Sequence, residues 1–176
     1  MNYYAVQVKT RGEEKYIKLF KALHPEIEIP IHFPQRSLDI RRKGKITHSH
    51  SAIFPGYVFL ELDDDENILK YKWAFRRTDG FFRFLRSNKD IIPLADRDLE
   101  LVLHFIRNVG PIAGKSLVTF DENNRIVVVD GPLFGLEGKI IKVDKRKGRA
   151  KINLDLYGET FSIDLAFEAI TKTQIS

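Results

Sequence analysis

Phe54-Pro55-Gly56-Tyr57-Val58-Phe59-Leu60-Glu61-Leu62 opens on Pro-Gly, a turn signal, and runs directly into the alternation of a β-strand. Tyr57, Phe59 and Glu61 fall on one face of such a strand, and Val58, Leu60 and Leu62 on the other. The second set is an aliphatic core face. The first set, with Phe54, gathers three aromatic rings at one strand start. Rings carry much contact area and are costly to expose, so this cluster is either core or a docking surface.

The chain has 176 residues, enough for one or two small domains, and 43% of them are hydrophobic, which supports a packed core and excludes global disorder. The 29 Lys and Arg outnumber the 24 Asp and Glu, and the net charge of +5 leans modestly toward a polyanionic partner. There are no cysteines, which removes disulfides, thiolate nucleophiles and thiolate metal sites and suits a reducing compartment. No apolar run approaches the ~20 residues of a membrane span. Met1 to Arg11 lacks a basic start followed by an apolar block, so no signal peptide is expected and a cytoplasmic location is.

Outward from the central stretch, Tyr3 to Val8 alternates as a strand and Glu13 to Leu23 as a helix with Tyr16, Phe20 and Leu23 on one stripe. Glu28 to Phe33 is predicted as a second strand, broken by Pro34. Leu38 to Lys43 and Lys45 to Ser49 flank Gly44 as a hairpin. From Arg36 to His50 there are five Lys and Arg against one Asp, concentrated at the tip Arg41-Arg42-Lys43-Gly44-Lys45. Asp63-Asp64-Asp65-Glu66 is expected to cap a helix from Glu66 to Arg76. Phe81 to Leu85 is a short strand. Asp96 to Val109 is the clearest helix, with Leu99, Val102, Leu103 and Ile106 on one stripe and Asp96 as N-cap. Four strands, Arg125–Val129, Gly138–Val143, Ala150–Asp155 and Glu159–Asp164, predict a small C-terminal barrel with a basic tip at Lys145-Arg146-Lys147-Gly148.

No constellation here carries chemistry. The glycines between Gly131 and Gly138 have the wrong spacing for a dinucleotide loop and precede a strand, not a helix, so they supply tight turns. His48 and His50 share a strand face, but spacing places no third ligand, so no metal is expected. No nucleophile elbow is present. An enzyme and a cofactor are both unexpected, and a basic hairpin with an aromatic patch fits binding instead.

Gly131-Pro132-Leu133-Phe134-Gly135-Leu136-Glu137-Gly138-Lys139-Ile140 with Val143-Asp144 resembles the KOW motif of NusG-type transcription elongation factors. Phe54-Pro55-Gly56-Tyr57-Val58 resembles the most recognisable motif of that family's N-terminal (NGN) domain. Tyr3-Tyr4-Ala5-Val6-Gln7 resembles its first strand, and Arg77-Thr78-Asp79-Gly80-Phe81 a weaker Arg-x-x-Gly-Phe element. The resemblance implies an α+β protein. An NGN domain over 1–109, an antiparallel sheet flanked by helices, is joined by a linker over 110–121 to an SH3-like KOW β-barrel over 122–176.

The resemblance further implies a transcription elongation and antitermination factor that suppresses pausing. RNA polymerase binding, on the clamp helices of the β′ subunit and across to the β subunit, falls to Tyr3, Phe54, Pro55, Tyr57 and Phe59. Phe54, Tyr57 and Phe59 are expected to face outward. Lys9, Arg11, Arg76 and Arg77 fall where the family faces nucleic acid, and the hairpin cations Arg41, Arg42, Lys43 and Lys45 are assigned to DNA or nascent RNA. Tyr157-Gly158 matches a KOW dipeptide that docks partners such as a small-subunit ribosomal protein. Glu159 stands where Arg is common, which speaks against Rho. Phe82-Arg83-Phe84-Leu85-Arg86 and Ile91-Ile92-Pro93-Leu94 stand where the housekeeping factor usually carries a Gly- and Pro-rich stretch, and Ile112-Ala113-Gly114-Lys115-Ser116 resembles specialised paralogues, notably the LoaP antiterminators of selected operons. A monomer is expected. The rivals are a housekeeping NusG-type factor and a KOW-containing ribosome- or RNA-binding protein.

Overall fold

A computed structural model describes residues 1–64, 66–171 and 173. Asp65 of the acidic run, and positions 172 and 174–176 of the expected barrel, lie outside the described residues. In chain order the elements are β1 (Asn2–Val8), α1 (Glu13–Leu23), β2 (Ile31–His32), β3 (Gln35–Arg42), β4 (Lys45–Ala52), β5 (Tyr57–Leu62), α2 (Lys72–Arg77), β6 (Phe81–Phe84), α3 (Asp96–Leu103), β7 (Ile112–Ala113), β8 (Ser116–Phe120), β9 (Ile126–Asp130), β10 (Ile140–Asp144), β11 (Arg149–Leu156) and β12 (Glu159–Ala169). They form two compact units, one from Met1–Pro34 with Phe54–Leu103, the other from Gln35–Ile53 with His104 onward.

The first unit is an antiparallel sheet in the order β2-β5-β1-β6. Alternation along β1 and β5 sends Tyr4, Val6, Val8, Val58, Leu60 and Leu62 into one core with Tyr16 and Phe20 of α1 and Ala74 and Phe75 of α2. Phe20 stacks on Phe75 at 4.3 Å between ring centroids, and Phe84 meets Phe75 edge-on at 6.0 Å. The Tyr16 hydroxyl donates to the Phe75 carbonyl at 2.9 Å, and burial pushes its pKa up.

The second unit holds a three-stranded sheet, β4-β3-β7, and a five-stranded sheet, β10-β11-β12-β8-β9. Ala150, Ile152, Leu154 and Leu156 alternate inward from β11, as the period of a strand requires. Two arginines tie the β3–β4 hairpin to the larger sheet. Arg36 Nη1 donates to the Asp164 carbonyl at 2.6 Å, and Arg149 Nη2 donates to the Asp39 carbonyl at 2.7 Å. Desolvation lowers the Arg36 pKa; the charge of Asp164 opposes that and Arg149 reinforces it.

The α+β class and the helix-flanked antiparallel sheet match the expected fold class, while the β3–β4 hairpin and His104–Val109, expected within 1–109, belong to the second unit. Local details differ. The second strand shortens to β2, because Pro30 and Pro34 leave room only for Ile31 and His32. In place of a continuous helix from Glu66 there is one 3₁₀ turn, Ile68–Lys70, followed by α2. Its N-cap is Asn67, whose Oδ1 accepts from the Leu69 N–H at 2.9 Å, while Asp64 pairs with the N-terminal amine at 2.5 Å. Asp96 is the first residue of α3 at φ 51°, and the helix passes at His104–Val109 into a π-helical turn. The segment expected as a linker carries β7 and β8, paired with β3 and with β9 and β12.

Candidate interaction surfaces

Three loops meet at one end of the first unit's sheet, where β1 ends and β5 and β6 begin. The Val8 N–H donates to the Gly56 carbonyl and the Lys9 N–H to the Gly80 carbonyl, each at 2.8 Å. This lattice joins the turn at Phe54–Gly56, the turn at Lys9–Gly12 and the turn at Thr78–Gly80. Gly56 sits at φ 85°, where a side chain is strained, and its N–H donates to the buried Glu13 carboxylate at 2.7 Å. Half-buried Pro55 precedes Gly56 in one of these turns, exposed Lys9 and Arg11 lie in the next, and exposed Arg76 and Arg77 end the helix that leads into the Gly80 turn. Arg77 also lies over the Trp73 ring at 5.7 Å.

The ring cluster is not outward-facing. Phe54 is 1%, Tyr57 3%, Phe59 0% and Tyr3 2% exposed. The face they share with Ala5 is as closed as the aliphatic one. Alternation assigns these rings to one face, and that face too is withdrawn from water, which removes their apolar area from solvent. Phe54 and Phe59 pack edge-to-face at 5.4 Å. Beside Tyr3, His32 and the Glu61 carboxylate make a 2.7 Å contact.

In the second unit the hairpin forms as expected, with its strands extended to Gln35–Arg42 and Lys45–Ala52. Lys43 at φ 47° and Gly44 at φ 76° build the two-residue turn that suits twisted strands, so Arg41, Arg42, Lys43 and Lys45 cluster, all exposed. Tyr157 at φ 51° and Gly158 at φ 76° repeat the device between β11 and β12, leaving Tyr157 half-buried and Gly158 exposed at a tip. His48 Nδ1 contacts the Asp39 carboxylate at 2.7 Å, and Lys115 Nζ contacts its other oxygen at 3.2 Å. These two partners lower the Asp39 pKa, Lys115 first. His48 is thereby engaged by a carboxylate, and no group of three or more potential metal ligands occurs among the described residues. Spacing along the chain did not reveal Lys115 or Arg149 as neighbours of the hairpin. Arg149 follows the basic tip Lys145-Arg146-Lys147, whereas Lys115 is an isolated cation that no local pattern marks.

A family model described as "Transcription termination factor nusG" matches residues 1–103. Similar proteins include the transcription termination/antitermination protein NusG of Thermus thermophilus, 26% identical over 88% of this chain and 82% of its own length. The NusG of Helicobacter pylori strain J99 is 25% identical over 98% of each chain. Among solved structures, one titled "Domain interaction in Thermotoga maritima NusG" superposes with a TM-score of 0.56 at 20% identity, covering 94% of this chain and 93% of that one, a likeness of fold. The family model and the relatives define a transcription termination and antitermination factor, a class of non-enzymatic proteins. The chain belongs to the NusG family.

Proposed function

We propose that the chain is an elongation factor that binds RNA polymerase through its first unit and promotes processive antitermination on selected operons. The observation carrying this is the convergence of three loops at one sheet end, which joins the turn holding Pro55 of the Phe-Pro-Gly-Tyr motif to the turn holding the exposed cations Lys9 and Arg11. Such an end offers an apolar contact with positive charge alongside, suited to a protein helix tip beside nucleic acid. The β′ clamp helices and the β subunit are the proposed polymerase contacts. Tyr3, Phe54, Tyr57 and Phe59 support that end from beneath while buried. Docking directly onto those rings requires uncovering them, and apparent affinity then falls by the fraction of uncovered molecules.

The domain division at 109 and 122 is retained as a proposal about function. The NGN portion docks, and the KOW portion presents Tyr157-Gly158 to a small-subunit ribosomal protein, with Glu159 weighing against Rho. The hairpin cations contact DNA or nascent RNA by neutralising phosphates. Holding polymerase in the unpaused state is a population shift and needs tighter binding to that state than to the paused one. The LoaP-like run Ile112–Ser116, with the departures from the housekeeping factor at Phe82–Arg86 and Ile91–Leu94, supports operon selectivity over a housekeeping role.

The test is retention of core RNA polymerase on the immobilised full chain. Pro55→Glu places a charge on a half-buried position without emptying the core. It is expected to abolish retention while the far-ultraviolet circular dichroism is unchanged. Wild-type protein that retains no polymerase would instead favour a KOW-type RNA-binding role.

A further inference from the structure

A cleft of about 720 Å³ lies wholly within the second unit, between the β3–β4 hairpin and the turn joining β10 to β11. Its walls carry Arg41, Lys115, Lys145, Arg146, Lys147 and Arg149, and Asp39 is the one acid among the residues that line it. That carboxylate is already engaged by Lys115 and His48. Lys115 is paired with that acid, and Asp144 and Asp164 lie beside Lys147 and Arg149 in an adjoining pocket, but the cations lining the cleft still outnumber its acids six to one.

The cleft is also preformed. Arg149 bonds the hairpin backbone at Asp39, and the Phe167 N–H donates to the Gly148 carbonyl at 2.8 Å, so hairpin and turn are both anchored to the β11–β12 pair. The turn is closed on itself by the Lys147 N–H donating to Asp144 Oδ1 at 2.9 Å. A cationic surface held in place loses little ordering entropy on binding.

We infer that this cleft is a binding site for the phosphodiester backbone of a nucleic-acid duplex, with the Lys145–Lys147 turn and Lys115 extending the hairpin into one continuous surface. The inference rests on the proposed nucleic-acid role of the hairpin and adds residues that role did not include. Duplex is favoured over single strand by what lines the walls. Binders of single strands stack bases on exposed rings, and the one ring here, Phe167, is 6% exposed. A duplex turns its phosphates outward, where lysine and arginine reach them without reading sequence.

The experiment is fluorescence anisotropy of the full chain with a labelled DNA duplex, an RNA hairpin of matching sequence, the single strand, and polyglutamate as competitor, across a salt series. Arg146→Ser with Lys147→Ser is expected to weaken duplex binding about tenfold or more and to make the slope of log affinity against log salt shallower by about two. The tighter of the two duplexes identifies the source. Arg42→Ser with Lys43→Asn tests the hairpin independently. A shallower slope for that variant alone overturns the cleft and leaves the hairpin role standing; unchanged slopes in both overturn both. Equal affinity for the single strand, or full displacement by polyglutamate at matched charge, overturns the duplex assignment. Unchanged thermal unfolding of both variants separates lost binding from lost fold.

Discussion

The carboxylate of Glu13, in the first turn of α1, accepts the backbone N–H of Gly56 at 2.7 Å across 43 residues of sequence. This bond sets the angle at which the Phe54–Gly56 turn meets β5. Both partners are buried, so Glu13→Ala leaves a donor without water or protein to satisfy it. The expected loss of stability is about 1–3 kcal/mol in urea unfolding. Glu13→Gln, which keeps an acceptor oxygen, should lose less.

The buried rings of β5 respond to truncation as core. Phe59→Ala should destabilise the protein by about 3–5 kcal/mol through lost burial and the cavity left behind. A denaturant midpoint unmoved by this change would show that the ring is not packed as found. Polymerase binding should therefore be probed at Pro55 and not by removing Phe59, because loss of binding in the latter variant would report unfolding.

Three glycines with positive φ should separate backbone strain from steric contact. At Gly44 and Gly158 an added Cβ meets nothing within 4 Å, so alanine at either position should cost about 1 kcal/mol through φ alone. At Gly131 the same Cβ would lie 2.6 Å from the Ser116 Cα. Gly131→Ala should therefore cost clearly more than either, and equal thermal shifts across all three would contradict the close approach of that loop to β8.

Asp39 gives a signed pH dependence. Lys115 and His48 hold its carboxyl below the ordinary value of 3.8. A depressed folded-state pKa contributes stability that is fully present above the ordinary value and is lost as pH falls through the lowered one. The stability gap between wild type and Asp39→Asn should thus close in acid, as pH falls below about 4. Urea titrations at a series of pH values measure it.

Much of the fold was legible because its signals are local. Alternation around Tyr57–Leu62 gave both faces of β5, and Gly44 and Gly158 marked the two turns, since glycine takes positive φ without the penalty a side chain carries. The state of the ring face was not legible, because alternation tells which residues share a face and not whether anything covers it. The neighbours Lys115 and Arg149 were equally hidden. Their approach to Asp39 depends on pairing between segments far apart in sequence, such as β3 with β7, and no periodicity encodes that. The helix expected at Glu66 failed for a nearer reason: the Asn67 side chain caps the chain one residue further on and opens a 3₁₀ turn.

Gln35–Ile53 leaves the chain in the midst of one compact unit and is built into the other. No single scissile point therefore divides this protein into two intact halves. A fragment ending near residue 103 would carry an orphaned basic ribbon, and one starting near 104 would lack two strands of its own sheet and the backbone acceptor of Arg149. Dissection of its activities calls for excising or grafting the ribbon itself, since shortening the chain from either end damages both bodies at once.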